Sequence, residues 1–362
     1  MSAAPPSNPG SPDSPNREPA AADAGVQPEV QPENNPENVL TADDTEEEEG
    51  QSVDGRSLAP STESLRPSLF DYRQENGRTY HRYKDGKYIF PNDERESDRL
   101  DMEFQIWMIS LDDRLGVAPP CLGSSKPTRV LDIGTGTGIW AMHFGDEHPE
   151  AEVIGTDLSP IQPGFVPPNV KFEIDDLEDE WTYSLPFDYI HSRVMTSSIG
   201  DWSVYLRKCY ENLKPGGYVE LQEIDLFATS DDGTLKPESA LMRWCNLLME
   251  ASEKFGRPFV RGPTLKDIMS AAGFVDVSIT VLKWPTNSWP KDPKYKEIGI
   301  WENANMLEGL EGFSMAALTR GHNWSRIEVE VFLAEVRKDF NDKSIHAYWP
   351  AYCIVGRKPE TV

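Results

Sequence analysis

Val130-Leu131-Asp132-Ile133-Gly134-Thr135-Gly136-Thr137-Gly138-Ile139-Trp140-Ala141 passes from an apolar run through three alternating glycines into a helical pattern. Glycine permits the tight turn and lets a ligand approach backbone where a Cβ would collide. A dinucleotide-binding turn would carry its third glycine at position 139, which is isoleucine here. Asp132, two residues before the first glycine, places an anion where a pyrophosphate would be repelled and an ammonium group favoured. The turn therefore predicts a strand-to-helix junction for a ligand that is cationic at that end.

Outward from this junction, short apolar runs alternate with helical patterns. That alternation predicts a mostly parallel sheet with helices on both faces. Seven strands are expected, at 128–133, 152–157, 170–174, 187–191, 218–224, 275–282 and 345–355, with helices at 139–147, 202–213, 238–255 and 264–272. The stretch at about 286–343 reads as a helical insertion before the last strand. Open sheets of this kind bind ligands at the carboxyl ends of their strands. Asp157 closes the second strand, where a carboxylate can accept both hydroxyls of a ribose; capping a helix is its plainer alternative. Asp175-Asp176-Leu177 closes the third, where a carboxylate can accept from an adenine amino group or simply cap a turn.

Leu131–Gly138, Asp157, Asp175-Asp176 and Leu213–Gly217 resemble, in order, the motifs of class I S-adenosylmethionine-dependent methyltransferases. The resemblance narrows to the LaeA-like methyltransferases of filamentous fungi through Glu75-Asn76-Gly77-Arg78-Thr79-Tyr80-His81, Gly138-Ile139-Trp140-Ala141, the run 154–163 from Ile154 to Pro163, Phe172–Asp176 and Glu220–Glu223. It covers the chain from about Tyr72 onward. It implies a Rossmann-like α/β methyltransferase fold and S-adenosyl-L-methionine as cofactor. Asp132, Gly134, Thr135, Gly136, Gly138, Asp157, Leu158, Asp175, Asp176 and Leu177 would then bind it. The family contains tailoring enzymes and regulators of secondary-metabolite gene clusters, some of them nuclear with velvet-type partners.

Methyl transfer needs mainly the alignment of donor and acceptor, because the sulfonium is already an activated leaving group. A base is required only for some acceptors. His191 at the end of the fourth strand and Glu223 on the fifth are the candidates for one, with Glu220 beside them and Tyr80 and His81 as lid residues. A strand-end hydrogen bond for His191 and an ion pair of Glu223 with Arg193 are the structural alternatives. Trp140, Trp202, Trp284, Trp289, Trp301 and Trp349 add aromatic surface. Two or more of these in one cavity would favour a small flat acceptor.

Around this domain the composition shifts. Residues 1–50 hold nine prolines, twelve acidic residues and one base, Arg17. Such a segment buries too little apolar surface to offset its ordering entropy, so 1–65 is expected to be a disordered acidic tail. Residues 66–125 read as a cap rich in aromatic residues from Phe70 to Phe90, with Met102, Ile106 and Ile109 at helical spacing. The methyltransferase domain then occupies 126–362. A net charge of −26 argues against coating nucleic acid or an anionic membrane. Four scattered cysteines, Cys121, Cys209, Cys245 and Cys353, indicate neither a disulfide framework nor a metal site, which suits the cytoplasm or nucleus. Three functions are carried: a small-molecule methyltransferase, a cofactor-binding regulator acting through partners, and a protein or histone methyltransferase drawn to basic substrates by its acidity.

Overall fold

The structure is a computed structural model that describes residues 72–360 apart from 82, 85–88 and 124. The expected acidic tail, and Phe70 and Tyr88 of the cap, lie outside the described residues. The cap opens with a hairpin rather than a helix: β1 (Arg73–Glu75) pairs antiparallel with β2 (Arg78–Tyr80). Asn76 and Gly77 between them both adopt positive φ, 54° and 84°, the backbone that a two-residue Asn-Gly hairpin turn requires.

Helix α1 (Glu94–Ser110) follows, its N-terminus capped by Asp93, whose side chain accepts from the Glu96 N–H. It begins eight residues before Met102, where the helical spacing expected from sequence starts. The cause lies in its buried face, which is made of Glu96, Arg99 and Glu103 as well as Phe104, Ile106 and Trp107. Charged residues at inward positions hide the helical period.

The central sheet comprises β3 (Arg129–Ile133), β4 (Glu152–Asp157), β5 (Val170–Ile174), β6 (Phe187–Arg193), β7 (Leu213–Ile224), β8 (Val275–Pro285) and β9 (Tyr348–Arg357), in spatial order β5-β4-β3-β6-β7-β9-β8. The first five are parallel, and β9 runs antiparallel to both neighbours. This is the seven-stranded, mostly parallel sheet expected. The largest boundary difference is in β7, which starts at Leu213, paired with Phe187, so Lys214–Gly217 belong to the strand and not to a separate turn.

Helices cover both faces. α2 (Ile139–Glu147) and α1 pack Trp140, Phe144 and Phe104 onto Val130, Val153 and Tyr189. On the opposite face α3 (Trp202–Asn212) and α5 (Gly262–Ala271) pack Tyr205, Leu206, Leu265 and Met269 onto Leu131, Ile190 and Leu221. Because neighbours such as Val130 and Leu131 point to opposite faces and both are buried, the strands read as continuous apolar runs. A third cluster unites α4 (Ala240–Lys254), α6 (Pro293–His322) and α7 (Arg326–Asn341) with Trp107 of α1 and Trp349 of β9. Helices α6 and α7 stand between β8 and β9 in the chain, and α6 with α4 walls the space beyond the carboxyl ends of β3, β4 and β6. Among the described residues no helix is long and apolar enough to cross a membrane.

Candidate active site

A cavity of about 250 Å³ lies at those strand ends. Its first half is backbone and carboxylate. Gly134, Gly136 and Gly138 all lie in the left-handed region, with φ of 68°, 56° and 80°. A Cβ on Gly134 would collide with the Met195 sulfur, and one on Gly138 with the Phe172 ring, so neither position has room for a side chain. Asp157 at the end of β4 accepts the Gly136 N–H through Oδ2 and the Ser159 N–H through Oδ1, each at 2.9 Å. Each oxygen keeps lone-pair capacity for a ligand hydroxyl. Burial raises the Asp157 carboxyl above its ordinary pKa, against the pull of those N–H groups.

Nine of the ten residues expected to bind cofactor line the cavity; Gly138 does not, and acts through the turn and Phe172. Asp176 is nearly sealed and accepts from the Glu178 N–H, while Asp175 accepts from the Asp176 N–H. Turn-capping and cavity-lining therefore coincide in this pair.

Asp132 is engaged more fully than a free counter-ion would be. Its Oδ1 meets His191 Nδ1 at 2.7 Å, and its Oδ2 accepts from the Thr135 hydroxyl at 2.6 Å. His191 has no exposed surface, and its ring lies on Trp140 with centroids 3.8 Å apart and planes 6° apart. With Nδ1 turned to the carboxylate, Nε2 has no hydrogen-bond partner among the described residues, in the wall of the cavity. A buried imidazole nitrogen without a partner costs folding free energy.

Glu223 is placed elsewhere. It does not line the cavity; its two oxygens accept the N–H groups of Met195 and Thr196 at 3.0 Å, and burial pushes its carboxyl up to about 8. The alternative, an ion pair with Arg193, does not form either: Arg193 donates to Gln222 and lies over Phe104 and Trp107. What Glu223 holds is a strained loop, since Val194 takes φ of 50° and Ser197 φ of 63°. A β-branched residue there costs on the order of 1–3 kcal/mol, and residues 194–198 of that loop line the cavity. Glu220 is likewise occupied, accepting from Val117 and Ala118 N–H and from the Tyr189 hydroxyl. Tyr80 is buried outside the cavity, and His81, also buried, is close enough to Asp157 to lower its pKa.

The second half of the cavity is made of side chains that sequence reading missed. Arg99 donates to Glu96 and Glu103 and also to Asn305, which in turn donates to Glu302. Around this cluster stand Phe104, Trp244, Phe313 and Trp349, so with Trp140 three tryptophans face one cavity. Trp202, Trp284 and Trp289 are buried in the core and Trp301 is at the surface. The signal for α1 was present as the spacing 96-99-103-107, an inward helical face written partly in charges.

Residues 96–279 match the family model described as a methyltransferase domain. The chain is 44% identical to Methyltransferase pytC of Aspergillus terreus, over 83% of this chain and 92% of the relative. It is 39% identical to Secondary metabolism regulator LAE1 of Cochliobolus heterostrophus, over 79% and 94%, and 35% identical to Secondary metabolism regulator laeA of Aspergillus fumigatus, over 85% and 82%.

The chain belongs to the LaeA-like methyltransferases. Its cofactor is S-adenosylmethionine, and the residues present in this LaeA-like methyltransferase suit that cofactor. The half-cavity offers a loop whose three glycines hold a left-handed backbone, a carboxylate with capacity left for a ribose, and acidic groups at the ends of β3, β4 and β5. A pyrophosphate would be repelled by that set; a sulfonium with an ammonium group is attracted to it.

Proposed function

We propose that this LaeA-like methyltransferase methylates a small aromatic molecule of fungal secondary metabolism inside the cavity, with His191 taking the acceptor's proton at Nε2. The observation that carries the reading is the Asp132–His191 pair. Asp132 fixes the imidazole so that its remaining nitrogen is a proton acceptor; that nitrogen is buried and unpartnered among the described residues, and His191 is one of the residues that line the same cavity as the glycine loop. Asp157, Gly134, Gly136 and Asp176 would hold the cofactor, which supplies a methyl group activated by a sulfonium. The aromatic walls exclude water and orient a flat acceptor, and Glu223 keeps the 194–198 segment in place.

The names of LAE1 and laeA, both secondary metabolism regulators, favour a second reading, in which this chain binds the cofactor and regulates secondary metabolism; its partners would then be of the velvet type that the family resemblance implies. Untargeted metabolite profiles of the source organism carrying wild type, Asp157→Ala or His191→Gln separate the two. Loss of a methyl group from one compound family in both variants supports the enzyme. A collective fall of unrelated compounds in Asp157→Ala, with His191→Gln unaffected, supports regulation. With the acceptor in hand, His191→Gln should lower kcat by about 10²–10⁴-fold and leave cofactor affinity unchanged. An unchanged kcat would remove His191 from the chemistry.

A further inference from the structure

Four buried polar atoms that lack a hydrogen-bond partner among the described residues belong to side chains lining the cavity: His191 Nε2, Arg193 Nη2, Ser197 Oγ and Trp349 Nε1. With its Nδ1 turned to Asp132, His191 Nε2 accepts. A guanidinium and an indole nitrogen can only donate, and a serine hydroxyl can do either. Two obligate donors in the wall are thus without an acceptor, and a buried donor left in that state costs folding free energy.

Arg193 is held in place by its neighbours. Its Nε donates to Gln222 Oε1 at 2.8 Å, and Gln222 is fixed in that orientation because its amide nitrogen donates to the Leu115 carbonyl and to Glu220, each at 3.0 Å. The guanidinium lies over Phe104 and Trp107 at 5.4 and 5.3 Å and forms no ion pair among the described residues. Burial lowers its pKa, and the carboxylates of Asp132, Glu103 and Glu220 oppose that at longer range. Its charge is therefore answered, and what Nη2 lacks is an oxygen to receive its N–H. Trp107 links it to the second donor: its ring meets that of Trp284 at 4.8 Å, and Trp284 pairs with Trp349 across β8 and β9. His191 and Arg193 are two residues apart on β6, so their side chains leave the same face of the sheet about 7 Å apart along the strand. An aromatic molecule whose hydroxyl meets His191 can bring a second oxygen to Arg193.

We propose that the cavity anchors its aromatic acceptor through an uncharged carbonyl oxygen received by the Arg193 guanidinium, with the Trp349 indole N–H as a further donor. The proposal rests on the reading of the cavity as the acceptor chamber and adds the functional group that the molecule carries beside the hydroxyl that is methylated. A basic nitrogen in that place would leave both donors without an acceptor. A carboxylate there would add a further negative charge to those of Asp132, Glu103 and Glu220.

Three phenols that differ in one substituent test this: 4-hydroxyacetophenone, 4-ethylphenol and 4-hydroxybenzoate, titrated at neutral pH into the full chain saturated with S-adenosylhomocysteine and followed by ligand-observed NMR. The ketone should bind on the order of tenfold tighter than the ethyl compound of similar shape, as one hydrogen bond from a charged donor allows, and the carboxylate weakest. Arg193→Met keeps an apolar stem over Phe104 and Trp107 and removes the N–H groups; it should erase the preference for the ketone while S-adenosylhomocysteine binds as before. Trp349→Phe keeps a ring in the wall and should lessen that preference. Equal binding of the ketone and the ethyl compound by wild type overturns the proposal without recourse to any variant and leaves the chamber reading standing. Tightest binding of the carboxylate overturns it as well, because the site would then be one for an anion. So does a ketone preference that survives undiminished in either variant. If S-adenosylhomocysteine binds and none of the three phenols does, the acceptor-chamber reading falls, and the proposal with it.

Discussion

The two halves of the cavity are built on opposite principles. The cofactor half is local: Asp132 to Gly138, Asp157 with Ser159, and Asp175 to Leu177 are short runs at the ends of adjacent parallel strands, and backbone N–H groups do most of the holding. The acceptor half is assembled from far apart, with Arg99 of α1 meeting Asn305 of α6 across 206 positions through side chains alone. A site made of strand ends survives wide change in the surrounding helices, because the sheet fixes it. A site made of helix faces changes with each substitution there.

The largest effect that would test the comparison concerns the network holding the acceptor half together. Arg99→Met leaves Glu96 and Glu103 buried without their guanidinium, and breaking a buried pair by removing one partner costs about 3–5 kcal/mol. Urea denaturation should show that loss. Retained stability would mean water reaches the carboxylates and the half-site is more open than its burial indicates.

The cofactor half should respond in affinity rather than in stability. Asp157→Ala removes an anchoring carboxylate and should weaken S-adenosylmethionine binding by about 2–3 kcal/mol, the value of charge-assisted hydrogen bonds. Calorimetry gives the affinity and thermal unfolding the control. Unchanged affinity at an unchanged Tm would move the cofactor away from β4.

The same division decides what could be read from the amino-acid sequence. The parallel strands and the glycine loop were legible because both faces of each strand are apolar and the loop is contiguous. The β1–β2 turn carries an Asn76-Gly77 signal that the aromatic texture of the cap obscures. The first two turns of α1 were invisible for a better reason, since their inward positions carry Glu96 and Arg99, which periodicity counts as solvent-facing. His191 was legible as a strand-end histidine, but its stacking on Trp140 and its bond to Asp132 depend on strand order. Glu223 shows the reverse case: a carboxylate near the site by sequence, whose oxygens are spent on a loop backbone. Chemistry-bearing residue types in the right segment give candidates, and only the direction of each side chain sorts them.

The smallest expected effect tests the burial of the Glu302 carboxyl in the helix-built half through linkage. Glu302 holds its proton in the folded chain to about pH 8, whereas an exposed glutamate loses it near 4.5. Between those values the folded state binds more protons than the unfolded one, so stability falls as pH rises. The contribution is fully present below the unfolded value and is lost as pH passes through the folded one. Glu103 and Arg99 from α1 and Asn305 from α6 face the group; Glu103 raises its pKa, and Arg99 and Asn305 lower it. From pH 6 to pH 7 the slope from one such group is at most about 1.4 kcal/mol. Glu223, with its carboxyl pushed up to about 8, adds a slope of the same sign. Urea denaturation of wild type and Glu302→Gln at the two pH values isolates the first from the second: the variant should lose less stability than wild type over that interval, because the substituted amide has no proton to release while Glu223 still does. Parallel curves would place the Glu302 carboxyl in contact with water, and this half of the cavity would then be more open than its burial indicates.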